Sequence, residues 1–388
     1  MGEKGVCLYH TPHFNRLMNN PNANFFTLPS DSPLMPFFVG PVMSATFSTQ
    51  CISHVIGTRA LVVVSSTNLF ENVARDLGIP LPSSYVPAFF TSTLDSSSLH
   101  SRAKNALNIF TNGLFMDWSL RVVQGIFREK FGPDFPEMGD ITANAALVLT
   151  NAEPLIDHAM PTLKKVVDLG GIGAKAPLPV DEYWNGILSQ RAKNVVVSFG
   201  SIAKSIIMPR DMQLSVLKVK NVVVSPWMPQ NDLLGSALEA AKCGVPSLFV
   251  PLFAEQPRNA LTMEKNGMAR VYKKLELVDT KKFIDAIKEI MEEKNLKNRA
   301  VEISKFLAAR PFSPQELLLK NVNFVARFGH VESLTPRGIR LNFIQRHNMD
   351  LWAIGITLCI GIAFLTFRFI RFILRILGIG GILKNKVE

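Results

Sequence analysis

Cys7, Cys51, Cys243 and Cys359 are the residues with the sharpest intrinsic reactivity, and their spacing excludes most thiol chemistry. No two stand at a zinc-ligand or redox interval. Cys359 lies in an apolar run, where a thiol behaves as a small hydrophobe. The glycine-rich run KVVDLGGIGAKAPLP, residues 165–179, would suit a dinucleotide phosphate only if a helix opened behind it. Pro177 and Pro179 stand where that helix must form, so the run reads as a linker. Arg368, Arg371 and Arg375 recur at i, i+3 and i+7, on one face of a helix. Their stems can lie along lipid while the guanidinium groups reach anionic headgroups.

The chain has 388 residues, 47% of them hydrophobic. That length suits two globular domains with additions, because single cores stop growing near roughly 250–300 residues. The composition excludes a disordered chain, a collagen-like repeat and a small disulfide scaffold. Lys+Arg 42 against Asp+Glu 31 gives +11. From Arg368 to Glu388 five basic residues and one acidic give +4, and the other +7 is spread over 367 residues without a block. No nucleic-acid partner is expected from that distribution. No Asn-X-Ser/Thr sequon occurs, so glycosylation gives no sign of a secretory lumen.

Leu351 to Phe367 carries no charge over 17 positions, the lower limit for spanning a bilayer. Trp352 begins it, at the level where an interfacial indole belongs, and the arginines follow it. The run predicts a single-pass anchor whose basic tail faces the cytosol and whose body lies on the other side. Lys384 and Lys386 in the closing KNKVE have the spacing of a dilysine retrieval signal, which points to the endoplasmic reticulum. The opening MGEKGVCLYH is too polar for a signal peptide. Either the start lies upstream, or the protein is C-terminally anchored in the inverse orientation.

The periodicities predict a strand within 55–65, a short helix at 71–79, a long helical stretch at 99–131 and a strand within 141–151. Beyond the linker, NVVVSFG (194–200), NVVVSPW (221–227) and PSLFVPL (246–252) read as strands, with helices near 209–218 and 235–243. Such alternation makes a parallel α/β sheet, which binds ligands at the carboxyl ends of its strands. Amphipathic stretches at 279–295 and 314–328 are expected to close that second domain.

VVVSFGS (195–201), SPWMPQNDLL (225–234) and GSALEAAKCGVPSLFVPLFAEQPRNA (235–260), with the C-terminal anchor, resemble the UDP-glucuronosyltransferases. These are animal, here nematode-like, members of the UDP-glycosyltransferase family, and the likeness runs from about residue 55 onward. The resemblance implies a GT-B architecture: two Rossmann-type α/β domains, truncated here, plus one C-terminal transmembrane helix. The expected divisions are an incomplete acceptor-side domain (1–164), a linker (165–180), a UDP-sugar donor domain (181–345), the anchor (346–367) and a basic cytosolic tail (368–388).

By the same resemblance the Trp227 indole stacks on uracil, and Gln230 supports base and ribose. Stacking on a rigid aromatic face gives large contact at little entropic cost. Without the flanking MPQ, Trp227 could also be read as a core residue. Glu239 accepts from the ribose hydroxyls, a task for a bidentate acceptor. Ser236 donates to the diphosphate, and Ser198 and Ser201 line the loop that it passes. Glu255 and Gln256 read the hydroxyls of the donor sugar. Arg258 and Asn259 hold that loop, although Arg258 is also suited to a glucuronate carboxylate.

The sequence departs from the family where Leu234 runs straight into Gly235. Members carry a strand ending in Thr-His-Gly-Gly there, which cradles the diphosphate. The stretch 210–220 is also short, and 47–54 joins two normally separate segments. The family's general-base His has only His10 and His13 as nearby candidates, and its orienting Asp has no match, so no catalytic residue is assigned. The implied activity is transfer of glucuronic acid or another hexose from UDP-glucuronate or UDP-glucose to a small lipophilic hydroxyl acceptor. No metal and no cofactor beyond the UDP-sugar co-substrate are expected. The alternative is a non-catalytic anchored relative, or a product of skipped exons, that associates with full-length transferases.

Overall fold

The computed structural model describes residues 50–91, 93–173, 181–191, 193–198, 223, 237–251, 255–346 and 348–376. The chain divides into two compact units, Met1–Leu334 and Thr335–Glu388.

Uninterrupted β-branched and apolar runs suit strands buried on both faces. β1 (Val62–Val64) is one, shorter than the 55–65 expectation, since residue 55 ends a helical turn and 56–61 are turn or irregular. α1 (Glu71–Asp76) follows, and Gly78 turns the chain with φ 76°. α2 (Leu99–Phe131) opens on Ser98, whose hydroxyl accepts from the Ser101 N–H. α3 (Met138–Ala143) takes the start of the stretch expected to be extended, leaving β2 (Leu147–Thr150). β3 (Val166–Asp168) completes a parallel sheet of order β1-β2-β3, with Val63 opposite Val148 and Leu149 opposite Val167. The stretch expected to be linker from residue 165 therefore begins as a strand of the first sheet.

The second half of this unit contains α4 (Glu182–Leu188), α5 (Ala237–Cys243), β4 (Ser247–Phe249), α6 (Gln256–Lys265) and β5 (Ala269–Val271). β4 and β5 pair in parallel, Leu248 opposite Arg270. Residues 194–198 were expected to form a strand and do not; Val195 and Val197 are exposed. Among the described residues β4 and β5 pair only with each other. NVVVSPW and the helix near 209–218 lie outside the described residues, apart from Val223.

α7 (Thr280–Glu292) and α8 (Lys294–Ala308) follow, and Ala300, Ile303 and Leu307 of α8 pack on Ala241, Met263 and Met268. α9 (Pro314–Phe328) opens with a capping box between Ser313 and Glu316. Its Val325 and Val322 pack on Leu147, Leu149 and Leu169. The helix expected to close the second domain thus covers one face of the first sheet, while α1 covers the other through Val73, Ala74 and Leu77 against Val63 and Val148.

The second unit contains α10 (Met349–Ile376), 28 residues long and apolar enough to cross a membrane. None of its residues is buried. The helix runs on through the three arginines, and the guanidinium groups of Arg368 and Arg371 stand 5.9 and 4.9 Å from the ring centres of Phe364 and Phe367.

Candidate functional site

Because β1, β2 and β3 are parallel, their carboxyl ends meet at one edge of the sheet, where such sheets bind ligands. β1 leads into Ser65–Asn68, β2 into the loop from Asn151 to His158, and β3 into Gly170 and Gly171. The second half of the unit comes against these loops through buried polar contacts. The Arg258 guanidinium on α6 donates to Asp157 Oδ1 at 3.0 Å with only 5% of the residue exposed. Asn68 donates to the same carboxylate through its amide. Asn266 donates to the Ile156 carbonyl at 2.7 Å, and Arg310 to the Glu153 carboxylate and the Gly170 carbonyl.

The glycines of LGGIG have a steric role in this contact. A Cβ on Gly170 would stand 2.4 Å from the Ala152 carbonyl oxygen, so only glycine lets the two loops pass. Gly171, at φ 72°, accepts from Lys242 Nζ on α5 at 2.7 Å. Burial and the nearby Arg310 hold the Lys242 ammonium below its usual value. Burial raises the Glu153 carboxyl despite the opposing pull of Arg310. His158 is pushed down to about 4, by burial first and then by Lys265 and Arg258, so its imidazole is neutral near pH 7. Its Nδ1 lies 3.4 Å from Lys265 Nζ.

Of the residues expected to hold a donor, Glu239 sits half-buried in the first turn of α5. Glu255 is the N-cap of α6 without using its carboxylate as a cap, and Gln256 is the first residue of that helix. α5 and α6 share one apolar core through Ala241 and Met263, so the three residues stand on adjoining helices. Ser198 is exposed in an irregular segment. Ser201, Trp227, Gln230 and Ser236 lie outside the described residues, as do His10 and His13. Arg258, expected to hold that loop or to meet a glucuronate carboxylate, donates to Asp157 in the loop after β2. Asn259 donates its backbone N–H to the Glu255 carbonyl at 3.0 Å, within the same turn.

Asn68, Asp157, His158 and Lys265 have no motif spacing, and sequence reasoning missed them. The available signal was their place: the first two loops follow parallel strands at the carboxyl edge. Among the described residues no group of three or more His, Cys, Asp or Glu converges as a metal cage would.

The family described as UDP-glucoronosyl and UDP-glucosyl transferase matches residues 37–216 and 210–381. The chain belongs to this family. It is 26% identical over 345 residues to the Caenorhabditis elegans protein named as UDP-glucuronosyltransferase ugt-48, covering 77% of this chain and 65% of that one. UDP-glucuronosyltransferase 3A1 of Bos taurus is 24% identical over 345 residues, with the same two shares. UDP-glucuronosyltransferase 1A3 of Homo sapiens is 25% identical over 324 residues, covering 74% of this chain and 60% of its own length. The chain thus spans under two thirds of the length of these relatives.

Proposed function

We propose that the chain is a membrane-anchored UDP-glycosyltransferase of GT-B architecture. It moves glucuronic acid or glucose from a UDP-sugar to the hydroxyl of a small lipophilic acceptor. The observation that carries this reading is the family match across both halves, which takes in every residue assigned to the donor.

In this reading Trp227 stacks on the uracil and Gln230 supports base and ribose. Glu239 accepts from the ribose hydroxyls, while Ser198, Ser201 and Ser236 serve the diphosphate. Glu255 and Gln256 read the sugar from the opening of α6. The Arg258–Asp157 ion pair pins that opening to the loop after β2, so the sugar-reading groups ride on a fixed turn. The acceptor oxygen attacks the anomeric carbon opposite UDP, its proton passes to a base, and UDP departs with the bonding pair, inverting the centre. The UDP-sugar is the only small co-reactant. α10 spans the membrane of the endoplasmic reticulum, with the body luminal and the Arg-rich tail cytosolic.

One observation favours a second reading. The family's two matched segments overlap at 210–216, in the shortened stretch, and the Thr-His-Gly-Gly cradle implied by the likeness has no counterpart where Leu234 runs into Gly235. Without that cradle the phosphate site loses donors on which transition-state stabilisation depends. A non-catalytic relative that associates with full-length members would retain the anchor and lack turnover.

Titration of the detergent-solubilised full chain with UDP separates the readings. Binding that is lost in Trp227→Ala and in Glu239→Ala supports a retained donor site, and turnover of UDP-glucuronate onto a lipophilic phenol supports the enzyme. Binding without turnover favours the non-catalytic relative. Absence of UDP binding overturns the donor assignment.

A further inference from the structure

The carboxylate of Asp157 is held from three sides. Its Oδ1 accepts from the Arg258 guanidinium at 3.0 Å and from the His158 backbone N–H at 2.8 Å, and its Oδ2 accepts from the Asn68 amide. Asn68 is itself tied into the turn after β1, where its carbonyl accepts from the Ser65 and Thr67 hydroxyls at 3.2 Å. Hydrogen bonds to an ionised group are shorter and stronger than neutral ones, so several of them leave a carboxylate with one orientation. Asn68 therefore fixes Asp157, and Asp157 fixes Arg258.

Arg258 is the third residue of α6, two after Gln256 and three after Glu255. At 1.5 Å per residue those two stand about 3 and 4.5 Å from it along the axis. α5 has a strap of its own. Lys242, three residues after Glu239, reaches the Gly171 carbonyl at 2.7 Å in the turn after β3. Each helix assigned to the donor is thus tied to a different loop at the carboxyl edge of the first sheet, and the two straps share no residue.

We infer that Asn68 and Asp157 are positioning residues for the donor sugar: they hold the opening of α6 through Arg258 and leave the nucleotide to α5. The inference rests on the proposed assignment of Glu255 and Gln256 to the sugar and of Glu239 to the ribose. Recognition of the hexose then depends on the loops after β1 and β2, through residues to which no contact with the donor is assigned.

Calorimetric titration of the detergent-solubilised full chain with UDP, UDP-glucose and UDP-glucuronate tests this. Asn68→Ala keeps the ion pair. It is expected to weaken whichever UDP-sugar the parent binds by about tenfold, the effect of losing one hydrogen bond to a charged group, with UDP unchanged. Asp157→Asn strips Arg258 of its counter-charge and should lose more of the sugar, again sparing UDP. Lys242→Met should instead weaken UDP and the UDP-sugars by one common factor. Urea midpoints report how far each variant is loosened, and if Asp157→Asn does not fold, Asn68→Ala alone decides. A loss shared equally by UDP and the UDP-sugars in Asn68→Ala, or affinities identical to the parent's, overturns the positioning role and leaves the donor site standing. A parent that binds UDP and neither UDP-sugar overturns the sugar assignment with the inference. A parent that binds no UDP overturns the whole donor reading and the inference with it.

Discussion

Arg258 and Asp157 lie 101 residues apart in sequence and form a 3.0 Å ion pair between α6 and the loop that follows β2. Their side chains are 6% and 16% exposed, so neither charge can turn to water if the other is removed. Breaking a buried pair from one side leaves an unpaired charge and costs more than the pair itself contributes. Arg258→Ala is therefore expected to lower unfolding free energy by about 3 kcal/mol. Arg258→Leu/Asp157→Leu should recover much of that loss, because no lone charge remains. Urea unfolding of the detergent-solubilised chain measures both; a double variant no more stable than Arg258→Ala would show that the pair is not the cause.

Gly170 admits a test of backbone fit. An added methyl would meet the Ala152 carbonyl oxygen at 2.4 Å and Glu153 Cα at 2.7 Å, both main-chain atoms with little room to give. Gly170→Ala should cost about 1–3 kcal/mol by overpacking. Gly173, three residues on, has nothing within 4 Å of its added Cβ and is the control. Gly173→Ala should fall within about 0.5 kcal/mol of the parent. Equal midpoints for the two variants would contradict the close approach of the loops.

The sequence patterns were most legible where a single local rule decides the outcome. The long helix of α2, the short α1 before Gly78 and the apolar α10 were legible from composition and punctuation. Strand formation was less legible, because a strand needs a neighbour that local sequence does not name. NVVVS at 194–198 has a strand composition and is irregular among the described residues, whereas VVD at 166–168 looked like the start of a linker and pairs with β2. Long-range polar pairing was illegible for the same reason. Arg258 was singled out with two roles, and only the fold revealed Asp157 as its partner. Of the residues assigned to a donor by likeness, Glu239 was placed on a helix from the sequence, whereas Glu255 and Gln256 were read as part of a loop and stand at the opening of α6.

α9 packs on the first sheet, and its cap offers a graded perturbation. The Ser313 hydroxyl accepts from the Glu316 N–H at 3.1 Å, and the Glu316 carboxylate accepts from the Ser313 N–H at 2.9 Å. Ser313→Ala removes half of that reciprocal pair and should cost about 1 kcal/mol. Because Val325 packs on Leu147 and Leu149, the loss should reach β2 as faster amide exchange there. Exchange that rises in α9 alone would separate the helix from the sheet energetically.

Lys165 gives the fold a pH dependence of calculable sign. Its side chain is essentially inaccessible, and its Nζ donates to the Ala143 and Ala145 carbonyls at 2.7 and 3.2 Å. Burial brings its pKa down to about 8 from 10.5. Between those values the unfolded chain keeps a proton that the folded chain has released, so stability rises with pH across this window. The contribution is fully present above the unfolded value and is lost as pH falls through about 8. Its slope cannot exceed about 1.4 kcal/mol per pH unit for a single proton. Urea midpoints taken across this range should climb in the parent and climb less in Lys165→Met, which keeps the apolar stem and drops the charge. Parallel curves for the two proteins would assign the rise to other groups and leave the Lys165 ammonium as charged in the fold as in the unfolded chain.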